Sequence, residues 1–291
     1  MLNRRSFIAA GAALGAGAPA LAATPGSMTA GSGLLDAADP KALLTALVKL
    51  RGSLDGRLAF WWMKGPRYGV VGTTVTPLFQ NLVVSWHRFA RQPDGNFKAT
   101  IVELSYYVDA KTGALLDHSW RNPITGETNA LEHIAFGPVT STLTPAGVSE
   151  PEKTPGVELR MKSTRGVLAQ FNDDIWINED VSATIVPDSG RAPYQGNDIT
   201  TYHGSLRQVL DPNSPSAEAT MHYQSATDWR SWMKMGDIKG VLMARASGRK
   251  VWSVGDVPTD ILAAARRMHP QIIADPVKAL EGTPPEASFR R

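Results

Sequence analysis

The stretch that decides the fold covers residues 101–138 and reads IVELSYYVDAKTGALLDHSWRNPITGETNALEHIAFGP. Aromatic and β-branched residues fill strand-like runs on both sides of a turn at residues 109–113. Gly113 suits the left-handed position of a three-residue loop at 111–113, because glycine has no Cβ to clash there. The stretch therefore predicts an antiparallel hairpin, followed by a second turn at residues 122–126.

The turn also predicts which residues of the hairpin lie opposite one another. A three-residue loop places Tyr106 opposite His118 and Glu103 opposite Arg121. One face is then apolar apart from His118 and includes Trp120, while the other face is polar and closes with the Glu103–Arg121 ion pair. A slip of one residue would mix the two faces, so the pattern predicts a well-specified register.

Strand-like runs continue over residues 58–224 and are separated by turn residues such as those at 64–66 and 93–96. So many antiparallel strands would leave unpaired edges unless the sheet curls shut. The sequence therefore predicts a mainly β fold, an antiparallel meander that closes into a barrel, lipocalin-like in outline, with a few short helices. A β-sandwich is the alternative.

The N-terminus resembles an export signal. Arg4 and Arg5 precede a modest Ala/Gly-rich apolar run, and small residues at Ala20 and Ala22 suit signal-peptidase cleavage after Ala22. Paired arginines in this position are typical of a twin-arginine signal, with an ordinary secretory leader or an uncleaved anchor as alternatives. We therefore expect a periplasmic protein without stable membrane insertion, which would meet the twin-arginine export machinery during transport.

The pattern divides the chain into four parts. Residues 1–22 form the predicted signal peptide and 23–38 a flexible lead-in. Residues 39–281 form a single barrel-like domain, and 282–291 a frayed tail. Within the domain, a helix is predicted over 41–50 with Asp39 as its cap, and further helices over 227–235 and 258–268.

Composition excludes several classes of function. The formal net charge is +3, and without Arg4 and Arg5 it falls to 28 basic against 27 acidic residues, so no nucleic-acid partner is expected. Cysteine is absent, which excludes disulfides, thiolate metal sites and a cysteine nucleophile. The composition does not predict an oligomeric state.

Three passages of the chain resemble one family. They are residues 107–127 with Trp120 and the Asn122-Pro123 pair, residues 133–139, and residues 229–250. Tryptophan, glycine and Asn-Pro positions at fixed spacing carry the resemblance to an uncharacterised family of exported bacterial proteins, known only as a domain of unknown function. The chain departs from the family pattern at Ala110, where proline is usual, and at residues 136–137, where a polar pair is usual. The resemblance implies a mainly antiparallel β fold and export, and no established activity.

No short motif identifies a reaction. The six histidines form no His-x-His or His-Glu-x-x-His spacing, so no metal site is predicted, although distant strands could bring several histidines together. No nucleophile elbow and no phosphate-binding glycine loop occur, so no cofactor is predicted.

Aromatic residues and histidines on neighbouring strand runs predict a pocket instead. His118 and Tyr106 are the candidate catalytic pair, in which the tyrosine would hydrogen-bond the imidazole and fix its tautomer. The other predicted pocket residues are Trp120, His87, Trp86, His133 and Trp62. Packing of a large barrel core explains the same residues without a pocket, and this alternative remains open.

Three functions fit these sequence features. The first is a cofactor-independent enzyme, a lyase, isomerase or hydrolase, that acts on a small aromatic or apolar molecule by proton transfer. The second is a non-catalytic barrel that binds or carries an apolar ligand. The third is a structural envelope protein with a fully packed barrel. Polar groups that converge inside a cavity would favour the enzyme.

Overall fold

Long antiparallel strands follow one another along most of the chain in the computed structural model. The structure describes residues 33–116, 119–149, 157–188, 190 and 193–282. Its strands are β1 (Ala59–Val71), β2 (Thr74–Arg91), β3 (Phe97–Val108), β4 (Trp120–Arg121), β5 (Thr128–Asn129), β6 (Ile134–Thr144), β7 (Gly147–Val148), β8 (Val157–Phe171), β9 (Asp174–Pro187), β10 (Tyr194–Ser205), β11 (Ala219–Thr227) and β12 (Val241–Val251). Its helices are α1 (Pro40–Arg51), α2 (Leu206–Leu210), α3 (Thr259–Met268), α4 (Pro270–Ala274) and α5 (Pro276–Glu281), with 3₁₀ turns at Ser231–Met233 and Val254–Asp256.

Ten strands form one antiparallel sheet in the order β7-β6-β3-β2-β1-β12-β11-β10-β9-β8. Its two edges meet, because Val148 N donates to Ser163 Oγ over 2.8 Å and Arg165 Nη1 donates to Thr144 O over 3.2 Å. The sheet is thus nearly closed into a barrel, which confirms the predicted fold class. The remaining strands, β4 and β5, pair only with each other.

One strand crosses a predicted turn. β1 continues through residues 64–66 and pairs with β2 along its whole length. Its pairing with β12 is interrupted between Lys64 and Arg67, so Pro66, which has no N–H, costs no hydrogen bond to β12. The prediction of a turn at residues 64–66 was therefore wrong.

Each strand of the barrel has one inward and one outward face. On β3, Leu104 and Tyr106 face outward and pack with hydrophobic residues of α3–α5, among them Ile261 and Ile273. Glu103, Ser105 and Tyr107 alternate with them and face inward, since successive side chains of a strand point to opposite sides. The helices cover the apolar outer face of β3, and the interior receives its polar face.

Helix α1 closes one end of the barrel. Asp39 caps it by accepting a hydrogen bond from Lys41 N over 2.8 Å, as predicted. Leu47 and Leu50 pack against the inward-facing Trp61 in an apolar cluster. Lys250 Nζ donates to two carbonyl groups at the end of the helix, Lys49 O at 2.6 Å and Gly52 O at 3.1 Å.

The opposite end is covered by residues 228–240, here called the end segment, and by the β4–β5 ribbon. Asn122 and Asn129 each donate a side-chain hydrogen bond to Met233 O, over 3.0 and 3.1 Å. Trp120 and Trp232 pack edge to face with ring centroids 5.7 Å apart. The helix predicted over 227–235 is only the 3₁₀ turn Ser231–Met233, and Thr227 ends β11.

The register predicted for the central hairpin was wrong. Val108 pairs with Leu115 and not with Leu116, and Leu116 N donates to Tyr107 O over 3.0 Å, which shifts the pairing by one residue. Asp109 and Ala114 close a four-residue loop through a 2.8 Å hydrogen bond, with Gly113 in the left-handed region at φ +71° as expected.

The hairpin is also shorter than predicted. Away from the turn, β3 pairs with β6 and not with the segment that directly follows the turn. Glu103 lies opposite Phe136, and Arg121 lies opposite Thr128 on β5. The predicted Glu103–Arg121 ion pair therefore does not form. His118, predicted opposite Tyr106, lies outside the described residues.

All described residues belong to one compact unit that begins at Gly33. The predicted signal peptide lies outside the described residues. No helix in the described part of the chain is both long enough and apolar enough to span a membrane.

Candidate functional site

Charged and phenolic side chains from several strands converge inside the barrel. We call this set the lumen cluster; it comprises Arg67 on β1, Glu103 on β3, Asp198 on β10, Tyr223 on β11, and Arg230 of the end segment. The first four face inward, because each alternates with outward residues, and Asp198 lies opposite the buried Ser225. Glu103 lies opposite Ser85, another buried inward residue. On one side of the cluster lie the apolar residues packed on α1, such as Trp61. On the other side lie the aromatic residues under the end segment, such as Trp120.

Asp198 and Tyr223 form the shortest contact of the cluster. Tyr223 Oη donates to Asp198 Oδ1 over 2.7 Å. Burial raises the pKa of Asp198, and the bond from Tyr223 and the charges of Arg67 and Arg230 oppose this only in part. Burial and the nearby Asp198 carboxylate raise the pKa of Tyr223 well above its usual value. The tyrosine therefore stays protonated and holds the Asp198 carboxylate in place.

Glu103 is the group best suited to exchange a proton near neutral pH. Burial, and then repulsion from Asp198, raise its pKa from 4.5 to about 7, against the opposing charges of Arg67 and Arg230. Part of its surface remains exposed, and on this inward face that surface borders the lumen. A carboxyl group of this kind can donate or accept a proton with little cost in either direction.

The two arginines of the cluster have few hydrogen-bond partners. Arg67 is 7% exposed, and its Nη1 donates to Ser225 Oγ over a long 3.3 Å. The Nε atoms of Arg67 and Arg230 are buried and have no hydrogen-bond partner among the described atoms. Arg230 also stacks over the Tyr194 ring, with its guanidinium carbon 4.5 Å from the centroid. In the described part of the chain, no carboxylate lies within ion-pair distance of either arginine.

A pocket of about 610 Å³ opens beside the lumen cluster at the end segment. We call it the mouth pocket. Its polar lining includes Tyr107, Tyr194 and Arg230, and its apolar walls include Trp229 and Trp232. Arg230 belongs to both features, so a molecule in the mouth pocket reaches the edge of the lumen cluster. A volume of this size is typical of small-molecule sites.

A second buried charged group lies nearer α1. Arg51 Nη1 contacts Glu179 Oε2 at 2.7 Å, and Arg165 Nη2 lies 3.8 Å from Glu179 Oε1. Burial disfavours the charge of Arg51, but Glu179 and then Tyr202 raise its pKa. Two guanidinium groups share one carboxylate in this group, and we assign it a structural role.

The structure separates the predicted site residues. Tyr106, Trp86 and Trp62 lie in the outer cluster beneath the C-terminal helices. Tyr106 Oη is 2.9 Å from Nδ1 of His269, which lies between α3 and α4. Among the described residues, the histidine that hydrogen-bonds Tyr106 thus belongs to the helices that cover β3. His118, the predicted partner, lies outside the described residues.

The other three predicted residues lie nearer the interior. His87 faces inward toward α1, with Nε2 3.2 Å from Ser85 Oγ. Burial and the charges of Arg51 and Lys250 hold the pKa of His87 well below its usual value, so the ring is neutral. Trp120 packs against Trp232 behind the mouth pocket, and His133 Nδ1 accepts the backbone N–H of Tyr107 over 3.2 Å. Neither lines the pocket itself.

Sequence reasoning missed the lumen cluster, although part of its signal was visible. The polar face of β3, with Glu103, was recognised in the sequence, but it was assigned only an ion pair with Arg121, and the predicted pocket was placed on the apolar face. Where helices cover the outer surface of the barrel, as they do at β3, both faces of a strand are buried, and the polar face can line the interior. Asp198, Arg67 and Arg230 lie far apart in the sequence, and no local pattern links them.

Metal-binding geometry is not found in the described residues, where no three histidine or acidic side chains are grouped to hold an ion. A family model with the description "Protein of unknown function (DUF1838)" matches residues 56–290. No curated protein and no solved structure matches the chain. The family match confirms the resemblance to a domain of unknown function, and it assigns no activity to the site.

Proposed function

Because the chain belongs to the DUF1838 family, whose function is unknown, we propose a function from the site alone. The protein is a cofactor-independent enzyme, a lyase, isomerase or hydrolase, that transfers protons to or from a small molecule with an aromatic or apolar part. One observation carries the proposal: carboxyl, phenol and guanidinium groups meet inside the barrel, and one of them, the Arg230 guanidinium, also lines an aromatic-walled pocket of about 610 Å³.

Each residue has a role that follows from its surroundings. Glu103 is the general acid or base, because its pKa of about 7 allows both protonation states at neutral pH. Burial raises the pKa of Glu103, and Asp198, held by Tyr223, raises it further by repulsion. Trp229 and Trp232 bind the apolar part of the substrate. Arg67 and Arg230 stabilise negative charge that develops during proton removal.

A carrier is the second candidate, because the mouth pocket has apolar walls that would suit an apolar ligand. A carrier gains nothing from buried ionisable groups, whose desolvation is costly. The lumen cluster gathers five such groups inside the barrel, and one of them, Arg230, lines the pocket, which favours catalysis. A cavity of this size also argues against a purely structural barrel.

We expect the native ligand to remain bound during purification and to be chemically changed by the protein. Small molecules extracted from the purified protein are identified by mass spectrometry, and candidate precursors are then incubated with fresh protein. Turnover by the native protein, and its loss in Glu103→Gln, would support an enzyme. Recovery of an unchanged ligand that both proteins bind equally, without turnover of any related compound, would support the carrier.

The proposed site of action is the periplasm, on the basis of the paired arginines and the small residues before Ala23. We expect the exported protein to begin at Ala23. N-terminal sequencing of protein from a periplasmic extract measures this directly, with Arg4→Lys/Arg5→Lys as the variant expected to stay inside the cell. A mature protein that retains Met1 would contradict the prediction.

A further inference from the structure

We infer that the substrate is an organic monoanion, an aromatic carboxylate, whose carboxylate group is bound by Arg230 and Arg67. The inference rests on the proposed function, since it names the substrate class of the same site. It starts from the two guanidinium groups of the lumen cluster, whose N–H donors are only partly used by the residues that the structure describes.

Arg67 is the more deeply buried of the two arginines. It is 7% exposed, and among the described residues its Nε has no partner and its side chain donates one hydrogen bond, to Ser225 Oγ, over a long 3.3 Å. A guanidinium group carries five N–H donors, and a buried one is normally satisfied by a carboxylate or several acceptors. Arg67 therefore has donors left for a further acceptor.

Arg230 is the arginine of this pair that lines the mouth pocket, so its N–H donors face a molecule bound there. It lines the pocket, its Nε is buried and has no partner in the described part of the chain, and its guanidinium carbon lies over the Tyr194 ring, 4.5 Å from the centroid. Stacking on an aromatic ring leaves the edge of the guanidinium group available for a planar, bidentate acceptor. A carboxylate matches that edge in shape and charge.

The charges around the two arginines favour a single negative charge on the ligand. Asp198 already accepts a hydrogen bond from Tyr223. It also lies near enough to both arginines for their positive charges to oppose, in part, the rise in its pKa that burial causes. The positive charges of the same two arginines also oppose the rise in the pKa of Glu103 that burial causes. A dianion such as a phosphate ester would be repelled by these two carboxyl groups, whereas a carboxylate brings one charge. The tryptophan walls of the pocket then fit an aromatic remainder.

Matched ligands test the inference on the native protein. Binding of benzoate, phenylacetate and cinnamate is measured by isothermal titration calorimetry against their amides, which keep the shape and lose the charge. We expect at least one carboxylate to bind, and its amide to bind about 10- to 100-fold more weakly. Equal binding of the carboxylates and amides, or no binding of any of the three carboxylates, would overturn the inference.

Variants of the two arginines test whether these residues cause the preference for carboxylates over amides. Arg230→Gln is expected to reduce carboxylate binding to the level of the amide, and Arg67→Gln is expected to weaken it as well. Arg249→Gln, on the exposed outer face of β12, is the matched control and should bind like the native protein. A preference for carboxylates that persists in both Arg230→Gln and Arg67→Gln would also overturn the inference.

The outcomes separate this inference from the proposed function. Carboxylate binding through the arginines without any turnover would contradict the enzyme and leave the anion site intact. Turnover of uncharged aromatic compounds, with carboxylates neither bound nor inhibitory, would support the enzyme and contradict the anion site.

Discussion

Replacing Glu103 with glutamine is expected to reduce turnover by about 10²–10⁴-fold, because a positioned general acid or base contributes this much to proton-transfer reactions. Glutamine keeps the shape of the side chain and cannot exchange a proton. Ligand binding should change little, since Arg67, Arg230 and the pocket walls are intact. Steady-state kinetics with the substrate found by extraction, together with calorimetric binding, measure both effects.

The same substitution should stabilise the fold at alkaline pH. Burial and Asp198 raise the pKa of Glu103 from 4.5 to about 7, so the folded state holds this proton more tightly than the unfolded chain. The favourable contribution of Glu103 is complete below its unfolded pKa and is lost as the pH rises through about 7. Relative to the native protein, Glu103→Gln should therefore gain on the order of 2–3 kcal/mol near pH 8, and little near pH 4.

Urea denaturation over a pH series measures this gain, and Glu127→Gln, at an exposed position outside the barrel interior, is the control. A loss of activity accompanied by a loss of stability at pH 8 would show that Glu103 is a structural residue. Full activity in Glu103→Gln would remove it from the mechanism, and the Asp198–Tyr223 pair would then be the remaining acid–base candidate.

Replacing Glu179 with glutamine is expected to cost about 3–5 kcal/mol of folding free energy, the largest stability effect we anticipate. Glu179 is 4% exposed and is the shared carboxylate between Arg51 and Arg165. Without its charge, two buried guanidinium groups lose their counterion, and their desolvation is no longer compensated. The free energy of unfolding, measured in urea at neutral pH, reports the cost.

Glu158→Gln is the matched control for this experiment. Glu158 also pairs with an arginine, Arg160, over 2.7 Å, but both side chains are more than half exposed. Water already solvates such a pair, so its removal should change stability little. Similar losses in the two variants would mean that burial does not determine the cost, and our description of the Glu179 group would be wrong.

The sequence by itself determined the class of fold and several local structures. Aromatic and β-branched runs between turns predicted an antiparallel sheet, and the number of strands favoured a sheet that curls shut over a β-sandwich. Asp39 and Pro40 set the start of α1, and Gly113 was placed in the left-handed turn position where the structure has it. These features depend on neighbouring residues, and neighbours are what a sequence shows directly.

Only the tertiary structure decided which face of each strand lies inside and which strand is paired with which. Alternation gives β3 two distinct faces, but the outer face is apolar because α3–α5 cover it, and these helices come much later in the chain. β3 pairs with β6 and not with the segment directly after the turn, so the polar partners of Glu103 come from β1, β10 and the end segment. Glu103, Asp198, Arg67 and Arg230 become neighbours only when the sheet curls, because closure of the barrel brings together residues that are distant in sequence.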